Sequence, residues 1–265
     1  MSISKDVLLN QYIPFNKQVP YKDFYISPIR LSDFAEVSMA LNALEIDKNT
    51  LGQLELISMS YLRFVLFAID ESEEIANSFE ALLRKSLNIA DDYTIQKYIG
   101  QDEEFLIVGK VLHKTQGNVI FDENTARKIT AEDFDEIKRV VLYQNFYDYD
   151  EKYIDPDVKK AADEYHRLKN KGAKKVALEH KMICVQAKTG MTLEEIGNLT
   201  IRNFQQLFDV IVDEDDYIIN KSAELGGSVK FKEPIEHWAY KEKKDKYAEA
   251  FCDADSFVGQ IQSAN

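Results

Sequence analysis

The residues best suited to chemistry in this chain are its four histidines, its two cysteines and three runs of carboxylates. His113, His166, His180 and His237 form no HxH or HExxH pair, and none stands at ligand spacing from a cysteine, so neither a zinc site nor a metalloprotease helix is encoded. Cys184 and Cys252 lie far apart, which gives no disulfide framework; Cys184, inside Met182-Ile183-Cys184-Val185, reads as a small buried apolar residue. Asp148, Asp150 and Glu151 sit among Tyr147 and Tyr149, Asp213 to Asp216 are contiguous, and Asp253 precedes Asp255. Divalent cations need carboxylates that converge from separate elements or a glycine-bearing loop, and Asp213 to Asp216 has neither the glycine nor the spacing. That run reads as a solvated kink in its helix. No GxxxxGK[ST], GxGxxG or GxSxG occurs, so a phosphate loop and a nucleophile elbow are both missing. The expectation is a protein with no catalytic, cofactor or metal residues.

Composition agrees with a folded, soluble, intracellular protein. Of 265 residues, 45% are hydrophobic and 11% aromatic, enough to build a core, and 10 Gly and 5 Pro leave little low-complexity linker. Acidic residues outnumber basic ones 46 to 33, a net charge of -13 that repels nucleic-acid backbones. Lys169, Lys171, Lys174 and Lys175 make the densest basic stretch and read as a solvated helix end. No signal-peptide core is visible near the N-terminus, and no apolar run approaches the roughly 20 residues that span a bilayer.

The elements around these residues are mostly helical. Residues 1 to 20, with Pro14 and Pro20, read as an extended arm, and Tyr21 to Arg30 as an edge strand stopped by Pro28. Ser32 or Asp33 caps a helix to Leu44. Leu51, Leu54, Ile57, Tyr61, Leu62, Val65 and Ile69 trace one helical face over five turns. Helices over Ile75 to Leu87 and Asp91 to Tyr98 follow. Phe105 to Val108, Lys110 to His113 and Val119 to Phe121 around Gln116-Gly117-Asn118 predict a hairpin or two short paired strands, with Tyr21 to Ile29 recruited to the same sheet.

Thr130 with Asp133, Asp155 with Pro156, Thr192 with Glu195, and Thr200 with Asn203 each mark a helix start. A helix over Ala173 to Lys188 ends at Gly190, and Gly226-Gly227 ends the one opened by Thr200. Val229 to Phe231 reads as a short strand. The fold class is α+β, predominantly helical, with a small antiparallel sheet or hairpin. Its regions are residues 1–99 (arm, edge strand, helices), 100–124 (hairpin), 125–245 (helical C-terminal domain) and 246–265 (tail).

The runs ITAEDFDEIKRVVLYQNF, YIDPDVKKAADEY, ALEHKMICVQAKTGMTLEEIGNLTIRNFQQLFDVI and SVKFKEPIEHWAY resemble tail-module proteins of bacteriophages infecting Gram-positive bacteria. The N-terminal VPYKDFYISPIRLSDF and ISMSYLRFVLFAI fit the same pattern, and the likeness is to tail assembly chaperones. It implies a non-enzymatic protein in the host cytoplasm that binds the tape measure protein through apolar helix faces and aromatic anchors. The candidates are Tyr165 and Leu168 on a thinly striped helix, Phe204 and Phe208 on the helix from Thr200, and Trp238 with Tyr240. Trp238 is either a core anchor or an interface residue. The alternative is a structural tail or baseplate protein retained in the virion, and a homo-oligomer is compatible with either. A third class, a phage enzyme or host-directed inhibitor, calls for a polar pocket with perturbed carboxylates.

Overall fold

The computed structural model describes residues 2–240 apart from 102, 116–117, 152–154, 170–175, 228 and 232. It is an α+β protein, predominantly helical, with antiparallel sheets of two and four strands. The chain divides into two compact units, Met1–Tyr149 with Thr192–Gln205, and Asp150–Met191 with Gln206–Asn265.

In the first unit the N-terminus is helical rather than extended. Helical turn α1 (Lys5–Val7) winds on through Leu8–Tyr12 and Ile13–Phe15, where Pro14 occupies a first-turn position that needs no amide donor. Leu8 and Ile13 are buried, and this burial is what overrides the polar local sequence. β1 (Val19–Tyr21) and β2 (Phe24–Ile26) pair as a separate two-stranded sheet and do not join the larger one; Pro20 lies opposite Tyr25 in it.

A 3-10 turn, Leu31–Asp33, leads into α2 (Phe34–Glu45). The long helix expected through Leu51 to Ile69 is broken. α3 (Leu54–Ser58) ends before α4 (Tyr61–Glu71), because Ser60 turns extended and its hydroxyl accepts from the Arg63 amide. Leu54, 82% exposed, shares no buried face with Leu62 and Val65. Ser72 caps α5 (Glu73–Ser86) in the same way.

The segment Asp91 to Tyr98, read as a helix, instead forms β3 (Tyr93–Ile99). Its β-branched and aromatic residues suit a strand, and β4 (Glu104–Thr115) supplies a seven-residue partner, Tyr93 opposite Lys110 through Ile99 opposite Glu104. The expected hairpin is present, β4 pairing with β5 (Asn118–Phe121), although Gln116 and Gly117 lie outside the described residues. The register slips between Val111 and His113, which leaves Leu112 out of the ladder and exposed. β6 (Arg127–Thr130) also pairs with β4, setting buried Ile129 opposite buried Leu106.

The capping box that opens α6 (Ala131–Asn145) is complete: Thr130 accepts from the Asp133 amide and Asp133 accepts from the Thr130 amide. Phe134, Ile137, Val140 and Val141 then enter the core with Leu41, Leu66 and Leu82, and the rings of Phe79 and Phe134 meet at 5.8 Å. Asp133 is itself buried. The Tyr21 hydroxyl donates to its Oδ1 at 2.9 Å and Lys22 pairs with the same atom, so one carboxylate joins the β1–β2 turn to α6.

The first unit also takes in α9 (Leu193–Asn198), opened by the Thr192–Glu195 capping box. The Leu31 amide donates to the Leu199 carbonyl at 2.8 Å and the Ile201 amide to the Ile29 carbonyl at 3.1 Å, joining these segments around an Arg30–Thr200 bridge.

The second unit contains α7 (Pro156–Lys169), opened by Asp155 as its sequence predicts, and α8 (Leu178–Thr189), which stops at left-handed Gly190. Lys171, Lys174, Lys175, Gly172 and the tail from 241 lie outside the described residues. Helix α10 (Ile201–Leu225) has residues in both units, and the Thr200 hydroxyl accepts from its Asn203 amide. It runs unbroken through Asp213 to Asp216, so the expected kink does not occur. Aspartate costs a helix only a few tenths of a kcal/mol per residue, and Asp215 has a partner in Lys188 of α8. Val229 to Phe231 forms no strand, and the segment after Pro234 makes only a 3-10 turn, Trp238–Tyr240. No described helix is long and apolar enough to cross a membrane.

Candidate functional site

In the second unit the surface is built from helices whose apolar stripes are only partly covered. On α7 the stripe is thin. Ala162 is buried, while Tyr165 and Leu168 are both about half exposed. On α8 the buried position is Val185, and Cys184, one residue and about 100° earlier on the helix, is exposed rather than buried. An unbroken apolar run cannot say which of its members faces inward.

Along α10, positions seven apart share a face. Phe204 and Ile211 on that face are buried, whereas Ile218 is 52% and Leu225 81% exposed. The same face that enters the core at its start is open at its end. Phe204 is therefore a core residue and offers no surface to a partner. Phe208 is partly buried, and the Lys181 ammonium lies 5.0 Å from its ring centroid.

An aromatic cluster completes this unit. His237 packs against Tyr217 at 4.8 Å, Trp238 at 5.4 Å and Tyr240 at 5.8 Å between ring centroids. Trp238 is half-buried and Tyr240 is exposed. His237 stands in the sequence as a histidine without a ligand partner, and its contact with Tyr217 exists only once α10 and the segment after Pro234 are brought together. Ile218 and Ile219 are exposed as well, and the signal for them in the sequence is their place in the 3.6-residue period of α10.

In the first unit several ionisable groups on and around α6 are displaced from their ordinary values. Arg202 donates to the carbonyls of Tyr143 at 2.9 Å and Phe146 at 2.8 Å, closing the C-terminal end of α6. Burial pulls its guanidinium below the usual arginine range, against the opposing charge of Asp148. Burial also pushes the Asp135 carboxyl up, with Lys138 and Lys48 acting the other way. The Arg202 bonds serve the end of α6, whereas Asp135 lies on an exposed side of that helix.

A concavity of about 650 Å³ is lined by residues of four segments of this unit, around positions 16–18, 27–33, 84–88 and 198–200. Its carboxylate is Asp33, bound to Lys85 at 2.7 Å, and no imidazole lines it. Ser27 accepts from the amides of Gln18 and Asn88 and has no base beside it. Among the described residues no group of three or more His, Cys, Asp or Glu is placed to hold a metal ion.

Two surfaces of different character thus define this protein: open apolar helix faces in one unit and a polar concavity in the other. Comparison with family models, curated proteins and solved structures finds no match to this chain.

Proposed function

We propose that this chain is a non-enzymatic, polypeptide-binding tail assembly chaperone of a bacteriophage infecting a Gram-positive host. In this reading it covers the tape measure protein in the host cytoplasm until the tail tube polymerises. The observation that carries the reading is the opening of the α10 stripe, buried at Ile211 and exposed at Ile218 and Leu225. Tyr165, Leu168 and Tyr240 add exposed apolar surface in the same unit. A helical client laid on such a face buries apolar area at roughly 25 cal/mol per Å², in the manner of an amphipathic helix set in a groove. The net charge of -13 favours keeping the loaded complex soluble. The likeness of residues 129–146, 153–165 and 177–211 to phage tail-module sequences supplies the identity of the client.

Co-expression tests the proposal. The tape measure protein should move from the pellet to the supernatant when this chain is present and should co-purify with it. Unchanged solubility and no complex would end the proposal. Mass spectrometry of purified virions separates it from a structural tail or baseplate role, since a chaperone is absent from the particle and a tail component is stoichiometric.

A further inference from the structure

The polar concavity of the first unit has its own chemistry, which does not depend on how the helices of the second unit are used. Three cations line it, Arg30, Arg84 and Lys85, and their partners decide which of them is available. Arg84 is bound to Glu80 and donates to the carbonyls of Ala90 at 3.2 Å and Tyr93 at 3.0 Å. Lys85 is held between Asp33 at 2.7 Å and Glu36 at 3.6 Å. Arg30 has no carboxylate within ion-pair distance among the described residues, and its one described side-chain bond runs from Nη1 to Asn198 Oδ1 at 3.3 Å. Most of its planar fork of five N–H donors is open.

The amides beside it are oriented by the same bonds. Arginine can only donate, so Asn198 must turn its oxygen to Arg30, which leaves its NH₂ unused. The Thr200 hydroxyl accepts from the Asn203 amide and donates to Asn16 Oδ1 at 3.4 Å, so Asn16 likewise keeps its NH₂. Asn16 and Asn88, at φ 51° and 52°, are two of the described non-glycine residues in the left-handed region, and both line this concavity. Asparagine takes that conformation more readily than most side chains, so the sharp turns of the wall and its amide character come from the same residues. The available groups of Arg30, Asn16 and Asn198 are therefore donors, whereas Gln18 and Asn88 spend their NH₂ groups on Ser27, in a space whose volume falls within that of small-molecule sites.

We infer that this concavity binds a small oxyanion-bearing ligand, with Arg30 as the charged anchor and the Asn16 and Asn198 amides as flanking donors. Carboxylate and phosphate share the acceptor geometry that an arginine fork recognises. The neutralised state of Arg84 and Lys85 favours a ligand of low charge over a polyanion.

The test titrates the ¹⁵N-labelled full chain with sodium phosphate and, separately, sodium acetate, each against sodium chloride at matched ionic strength. The expected result is saturable amide shifts confined to residues 16–18, 27–33, 84–88 and 198–200 with at least one probe, and the probe that saturates at lower concentration identifies the anion class. Arg30→Gln should weaken that binding about tenfold, the loss of one charged hydrogen-bonding group. Arg30 is exposed, so the variant keeps the fold. Arg127→Gln, which removes a half-buried arginine paired with Asp23 outside the concavity, should leave binding unchanged. Linear, non-saturating shifts with both probes, or equal binding by Arg30→Gln and the parent chain, would overturn the inference.

Discussion

Replacing Asp133 by alanine removes a carboxylate with three tasks. It accepts from the Thr130 amide in the capping box of α6, it accepts from the Tyr21 hydroxyl, and it pairs with Lys22. Loss of a capping interaction costs about 0.5–2 kcal/mol. Tyr21 is buried, and a buried hydroxyl left without its acceptor costs about 1–3 kcal/mol. The Lys22 side chain is 53% exposed, so its pairing adds at most about 1 kcal/mol. The expected loss is about 1.5–6 kcal/mol, a large share of the roughly 5–15 kcal/mol that holds a domain together. Urea unfolding followed by far-UV circular dichroism measures it. In the Asp133→Ala background, Tyr21→Phe removes the orphaned hydroxyl and should recover about 1 kcal/mol. The pH dependence has a definite sign. Burial alone would raise the Asp133 carboxyl, but hydrogen bonds from Lys22, Tyr21 and Thr130 outweigh it and hold the group below the ordinary aspartate value of 3.8. Its contribution is therefore full above that value and is lost as pH falls through the folded-state value beneath it. The gap between parent and variant should stay constant near neutrality and narrow in strong acid. A variant within about 0.5 kcal/mol of the parent at pH 7, or no recovery from Tyr21→Phe, would refute the assignment of Asp133 as the link between the β1–β2 turn and α6.

Three further outcomes follow from the same geometry. Arg202→Ala should cost about 1–3 kcal/mol in chemical denaturation, because the carbonyls of Tyr143 and Phe146 lose a charged donor. Gly109→Ala places a Cβ 2.9 Å from the Ala126 Cα, a backbone clash expected to destabilise by about 1–3 kcal/mol and to lower the melting temperature. Replacing both Ile218 and Leu225 by serine should change stability by less than about 0.5 kcal/mol per site, since both are exposed, yet reduce capture of the tape measure protein in co-purification.

The helix starts were readable in the sequence because a cap is a local device. Thr130 with Asp133, Thr192 with Glu195, Thr200 with Asn203 and Asp155 with Pro156 each carry their partner within three residues. The stop at Gly190, the β4–β5 pairing and the class of fold were readable for the same reason, since they rest on short-range turn chemistry and alternation. What the sequence alone could not decide was which of two locally acceptable states a partner would select. Tyr93 to Ile99 became a strand because β4 lay ready to pair with it, and residues 5–15 wound into helix because burying Leu8 and Ile13 outweighed a polar local preference. The candidate surfaces divide in the same way. The apolar period of α10 stands in the chain, but only packing separated buried Phe204 and Ile211 from open Ile218 and Leu225. The polar concavity left no trace in the sequence, because its lining comes from segments up to 184 positions apart, as in the Thr200–Asn16 bond, and only tertiary contact brings their side chains together.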